Sequence, residues 1–242
     1  LICIPLLESE FILHIPDIYH ELGHPLISID NPKILEFQKQ IGLFNIEAKK
    51  YFNEEIKRRD LNKMKGDNVY SPLDLWRDSW VEKWSTELFC DLFAAFTLGP
   101  AYAWSNIHMC VKMSWEIYRI SMYQKTAHPA DDARMRAILL ALKKLDYANE
   151  AKQIELKWNE FKVITKQKPS PEYLTALPDA LLEKACEHCY AGIKAIDCLL
   201  ASRTNGGQFF NLLNSSWETF WKNPNEFGPW EKEQVKKLKA SI

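Results

Sequence analysis

The amino-acid sequence predicts a mainly α-helical protein, on three observations. Only eight of the 242 residues are Gly, too few for a turn-rich β architecture. Nine Trp, nine Tyr and twelve Phe, within a hydrophobic share of 47%, stock a large helical core. Apolar residues recur at helical spacing through most of the chain, between breaks marked by Pro and Gly. The length suits one large domain or two small ones. Lys plus Arg number 31 against 32 Asp plus Glu, a net charge of −1, so the strong basic footprint of nucleic-acid binding is missing. No stretch reaches the roughly 18–20 uninterrupted apolar residues of a membrane-spanning helix, and His14, Pro16 and Asp17 interrupt the segment Phe11 to Ile18. Six Cys (Cys3, Cys90, Cys110, Cys186, Cys189, Cys198) in mostly apolar surroundings read as buried thiols, which favours a reducing, cytoplasmic location. The chain begins at Leu1 rather than Met, which leaves a preceding segment, a leader included, open.

Taken in order, Leu1 to Pro5 is the most strand-like stretch. Pro16 and Asp17 place Pro and a carboxylate at the start of a helix that carries Tyr19 to His24. Pro25 then biases the residue before it away from α geometry, so a kink is expected at His24. Asn31-Pro32 opens a second helix, with Ile34, Leu35, Phe37, Ile41, Phe44, Ile46, Tyr51 and Phe52 at helical spacing, and polar residues from Glu54 to Asp67 end it. Ser71-Pro72 starts a long apolar helix through Leu98, stopped by Gly99-Pro100. A helix is expected from Ala101 to about Met122, then a loop from Gln124 to Pro129, then a helix from Asp131 to about Leu145. Residues 148 to 166 look amphipathic. One helix is expected between the breaks at Lys168-Pro-Ser-Pro171 and Asn205-Gly-Gly207. The tail with Trp217, Trp221 and Trp230 reads as short packed helices. The expected organisation is 1–147 as a core and 148–242 as a helical region packed on it, either separate or part of the same domain.

His20-Glu21-Leu22-Gly23-His24 is an HExxH motif. On a helix, positions i and i+4 share a face, so both imidazoles can reach one Zn²⁺, and Glu21 beside the first ligand can take a proton from a water that the metal activates. The plainer reading is a helix with two partly exposed histidines. Glu87-Leu-Phe-Cys-Asp91 places two carboxylates four apart on an otherwise apolar helix, where burial without a cation or donor is costly. Glu87 could be a third zinc ligand, and Asp91 could accept from the free N–H of a ligating histidine. The plainer reading there is a surface carboxylate pair, which the apolar neighbours disfavour. Thr126-Ala-His-Pro129 is followed by Arg134. His128 could hydrogen-bond an oxyanion and Arg134 could pair with Asp91, although His128 alone reads as a loop histidine capping the next helix.

HELGH, then ExxxD before Phe-Ala and Gly-Pro, then Thr-x-His-Pro-x4-Arg, resembles the HtpX-like gluzincin metallopeptidases over roughly residues 12 to 140. The Glu87-x-x-Cys-Asp-x-Phe-Ala-Ala segment is also similar to soluble gluzincins that cleave transcriptional repressors. The resemblance implies a zincin-like core with at most a small sheet, followed by additional helices. It implies one Zn²⁺ per chain on His20, His24 and Glu87, with Glu21 catalytic, Asp91 and Arg134 supporting, and His128 as a downstream active-site residue. The substrate implied is a peptide or protein, with no nucleic acid. The family's membrane members have spanning helices, and this chain shows none; its Thr-Ala-His-Pro stands where the family has Thr-His-Pro.

The alternatives are a non-catalytic metal-binding or sensing domain that keeps the site, and a helical interaction domain with a chance HExxH. Other residues carry weaker signals. Cys186-Glu-His-Cys189 lacks a second pair at metal spacing and reads as small sulfur side chains in a buried helix. Tyr102 reads as a core aromatic before an oxyanion donor, His108 as a core or groove residue, and His14 has no assigned role. Trp76, Trp80 and Trp84 at four-residue spacing form a core stripe.

Overall fold

The computed structural model describes residues 11–60, 72–113, 116–204 and 207–240. It is mainly helical, with no strand among the described residues. The strand-like Leu1–Pro5 and the start signal at Ser71 lie outside them. A short 3₁₀ turn leads into α1 (Ile15–Ser28), and a second leads into α2 (Leu35–Asp60). There Asn31 caps by accepting from the Lys33 N–H at 2.9 Å, with Pro32 next in line.

α3 (Pro72–Ser79) and α4 (Ser85–Leu98) form one continuous helix joined by a π-helical turn at Trp80–Trp84. The α4 sequence is apolar on nearly every face, as a helix enclosed on all sides must be. Leu88, Phe89, Leu92, Ala94, Ala95 and Phe96 are completely buried. α4 packs against α1, α5 (Pro100–Met113), α6 (Asp131–Lys144) and α9 (Asp179–Ala195). Its end is set by Gly99, whose φ of 65° suits glycine and whose N–H returns to the Ala95 carbonyl at 2.8 Å.

Four expectations change. α1 continues through Pro25 to Ser28, although that ring removes one backbone donor. The Ile29 N–H bonds the Pro25 carbonyl at 2.9 Å, the Ser28 hydroxyl bonds the His24 carbonyl at 2.9 Å, and α1 packs on α4. α5 ends at Met113, and residues 116–130 are irregular backbone rather than helix to Met122. The stretch between the Pro171 and Gly207 breaks holds two helices, α8 (Pro171–Ala176) and α9, because Pro178 intervenes. The tail helices α10 (Gln208–Lys222) and α11 (Pro224–Ala240) are 15 and 17 residues long, not short. The expected 148–166 helix is α7 (Ala148–Thr165).

The tryptophan stripe is core, and its polar edges tie the 116–130 segment and the end of α8 to the helix. Trp76, Trp80 and Trp84 are at most 1% exposed. Their indole N–H groups donate to the Ser121 carbonyl at 2.9 Å, the Ala176 carbonyl at 2.8 Å and the Thr126 hydroxyl at 3.0 Å. One cluster of buried side chains runs from Ile12 to Phe227 and crosses residue 147 without a gap. No helix among the described residues is long and apolar enough to cross a membrane.

Candidate metal centre

The centre forms where α1 lies against α4. At the contact, a Cβ on Gly23 would sit 2.8 Å from the Cys90 Cα, so only glycine permits this approach. Gly23 falls between His20 and His24, so the close contact brings both imidazoles onto the α4 surface, with ring centroids 5.2 Å apart.

Asp91 is fully buried and saturated. Its Oδ1 accepts from His20 Nδ1 at 2.8 Å, from the Tyr102 hydroxyl at 2.5 Å and from Arg134 Nη2 at 2.7 Å, while Oδ2 accepts from Arg134 Nε at 2.7 Å. These four donors already hold the carboxylate in place. Burial pushes the Asp91 carboxyl up, but the bidentate Arg134 guanidinium and His20 outweigh it and hold it well below the usual carboxylate range. An ionised Asp91 can only accept, so His20 Nδ1 carries the hydrogen and Nε2 faces outward.

That Nε2 lies 3.4 Å from Glu87 Oε2. His128 Nε2 is 3.3 Å from the same oxygen, and His24 Nε2 is 3.9 Å from Oε1. Neither approach to Oε2 has hydrogen-bonding geometry, so this buried oxygen has no hydrogen-bond partner. Burial opposes charge on Glu87, yet His128 and His20 bring its carboxyl down to about 2. Burial likewise opposes charge on His20, but Asp91 and Glu87 outweigh it, and its pKa is raised to about 9. The imidazoles and the carboxylate thus face one another across a space where a cation would be welcome.

The donor set fits a borderline divalent ion: imidazole nitrogens and one carboxylate, with the acceptor nitrogen of His20 fixed by a carboxylate behind it. The ligand atoms of His20, His24 and Cys90 also lie within 4.8 Å of one another, a cluster that could hold a metal ion. Glu87, three residues before Cys90 on α4, is not part of that cluster; its oxygens lie 3.4 Å from His20 Nε2 and 3.9 Å from His24 Nε2. Burial, together with the carboxylates of Asp91, Glu87 and Glu21, pushes the Cys90 thiol up.

The structure thus brings together His20, His24, Glu87, Asp91, His128 and Arg134. Glu21 stays exposed on the α1 turn between the histidines and makes no hydrogen bond or ion pair with them. His128 is the outermost member, its side chain 60% exposed. Its loop is pinned by Trp84 through Thr126, whose hydroxyl donates in turn to the His128 carbonyl at 3.2 Å. Tyr102 is 2% exposed and spends its hydroxyl on Asp91, so it is a core aromatic and not an oxyanion donor. Cys186 and Cys189 are buried free thiols, and Cys189 Sγ reaches the Phe89 carbonyl at 3.8 Å. His14 and His108 pack on each other, ring centroids 5.6 Å apart.

Sequence reasoning treated Cys90 only as a buried thiol. The available signal was its place three residues after Glu87, opposite the Gly of HELGH. The Tyr102 bond to Asp91 had no local signal, because it depends on how α5 folds back along α4. Compared with protein-family models, curated proteins and solved structures, the chain finds no match, so the family resemblance rests on the motif residues alone.

Proposed function

We propose that the protein is a zinc-dependent peptidase with a gluzincin-like site on a zincin-like core, acting on peptide or protein substrates. One observation carries this reading: three imidazole Nε2 atoms surround the Glu87 carboxylate, whose Oε2 is buried without a hydrogen bond, while Asp91 anchors the far side of His20. His20, His24 and Glu87 would hold the ion. Zn²⁺, when bound, supplies Lewis acidity that makes a water nucleophilic near neutral pH.

The remaining roles belong to the chain. Glu21, exposed one position after His20 and ionisable, takes the proton of the attacking water and delivers it to the leaving amine. His128, on its pinned loop at the open side, donates a hydrogen bond to the oxygen that gains charge as the carbonyl is attacked. Asp91 and Arg134 keep the His20 ring oriented and do not touch substrate.

The test pairs metal analysis with hydrolysis of an unfolded protein. About one Zn²⁺ per chain is expected, lost in the His20→Ala, His24→Ala double variant; unchanged metal there would place the site elsewhere. Glu21→Gln keeps zinc while hydrolysis falls by at least roughly 10²–10⁴-fold. Full zinc with no hydrolysis by the wild type would favour a metal-binding domain without catalysis.

A further inference from the structure

Cys90 is completely buried, and its Sγ has no hydrogen-bond partner among the described residues. Cys189, in the helix packed on the other side of α4, instead uses its sulfur on the Phe89 carbonyl. The Cys90 sulfur points into the α1 contact. A Cβ on Gly23 would lie 2.9 Å from Sγ, so the missing side chain of Gly23 is what gives the sulfur its place between the two histidines. Its sulfur and one nitrogen each of His20 and His24 fall within 4.8 Å of one another.

We propose that a metal ion in this centre takes Cys90 Sγ as a ligand beside His20 and His24, with Glu87 as the carboxylate ligand from the same helix. The inference rests on the metal-centre reading above and extends it. On binding, the S–H bond breaks, a sulfur–metal bond forms and the proton leaves to solvent; no electron is transferred. The consequences are chemical. Two imidazoles, one thiolate and one carboxylate make four protein ligands, a closed set for a tetrahedral ion, so thiolate and water compete for one position. A thiolate in the set also favours Zn²⁺, Co²⁺ and Cd²⁺ and disfavours Mg²⁺ and Ca²⁺.

The experiment titrates the metal-free full chain with Co²⁺ and records the absorption spectrum. A sulfur-to-cobalt charge-transfer band in the near ultraviolet is expected at about one equivalent. It should vanish in Cys90→Ser, which still binds Co²⁺, and persist in Cys186→Ser and Cys189→Ser. Zinc affinity of Cys90→Ser should fall by more than the roughly 10–100-fold typical of losing an outer partner. One equivalent of bound Co²⁺ with no such band, or a band that survives Cys90→Ser, overturns the proposal and leaves the His–Glu metal centre standing. No stoichiometric binding overturns both. Should Cys90→Ser not fold, X-ray absorption of the zinc-loaded wild type decides. One sulfur scatterer at about 2.3 Å supports the ligand, and nitrogen and oxygen scatterers alone refute it.

Discussion

Arg134 and Asp91 are a buried ion pair whose two members are not equally replaceable. Asp91 is wholly buried, and the guanidinium supplies two of its four hydrogen bonds. Arg134→Met leaves a charged carboxylate in the core and should destabilise the fold by about 3–5 kcal/mol, read from denaturant midpoints at constant slope. A loss under about 1 kcal/mol would mean that His20 and Tyr102 alone suffice. Asp91→Ala removes the anchor of the His20 ring and should weaken zinc about 10–100-fold without abolishing it. Loss no greater than at an exposed Asp would contradict that role. His20 also sets a pH dependence in the metal-free protein. Its pKa is raised in the folded state, to about 9, so its stabilising contribution is complete below the unfolded value of about 6.5. That contribution is lost as pH rises through about 9. The melting temperature of metal-free protein should therefore fall between pH 6.5 and 9, and the fall should be smaller in His20→Gln.

At the scale of the helix pair, Gly23 controls how near α1 comes to α4. Gly23→Ala forces the backbones apart, because the new Cβ would meet the Cys90 Cα and Cβ at 2.8 and 3.0 Å, and backbone cannot swing away as a side-chain tip does. A cost of about 1–3 kcal/mol is expected, together with weaker zinc binding, since the histidines move with α1. Unaltered stability and affinity would show that the two helices slide freely at this contact. The same element marks how far local sequence reaches. HELGH, the Asn31 cap, the Gly99 stop and the α6 start at Asp131 were legible because each is written in a few adjacent residues. Pro25 was misleading: its local bias against helix is outweighed by packing on α4 and by the bonds from Ser28 and Ile29. The π-helical turn at Trp80–Trp84 could not be read, since four-residue spacing of Trp looks the same on an α-helix. The convergence of His128 on Glu87 depends on a long irregular loop held by indole donors, and no periodicity encodes it.

For the whole molecule, the question is whether the centre can exist without residues 148–242, which supply none of its candidate ligands. α9 lies along both α2 and α4, the helix that carries Glu87, Cys90 and Asp91. The fit is tight: a Cβ on Gly192 would come within 2.8 Å of the Phe37 ring. Leu182, Ala185, Cys189 and Ile193 of α9 are completely buried, and so are Phe37, Phe44 and Phe89 facing that layer. A second tie runs through α6, where buried Asp132 accepts from Trp158 Nε1 at 3.0 Å and from the Tyr173 hydroxyl at 2.7 Å. Removing everything after Tyr147 would strip both donors from Asp132 and expose a broad apolar face. At about 1.5–3 kcal/mol for each large side chain returned to water, a handful of them matches the whole 5–15 kcal/mol by which a domain is stable. The 1–147 fragment should therefore fail to fold: little cooperative melting, dye-accessible apolar surface, and no one-to-one zinc binding by calorimetry. The full chain should melt in a single transition. A fragment that melts cooperatively and binds one zinc would show that the first 147 residues are a domain in their own right, with the later helices added onto a site already complete.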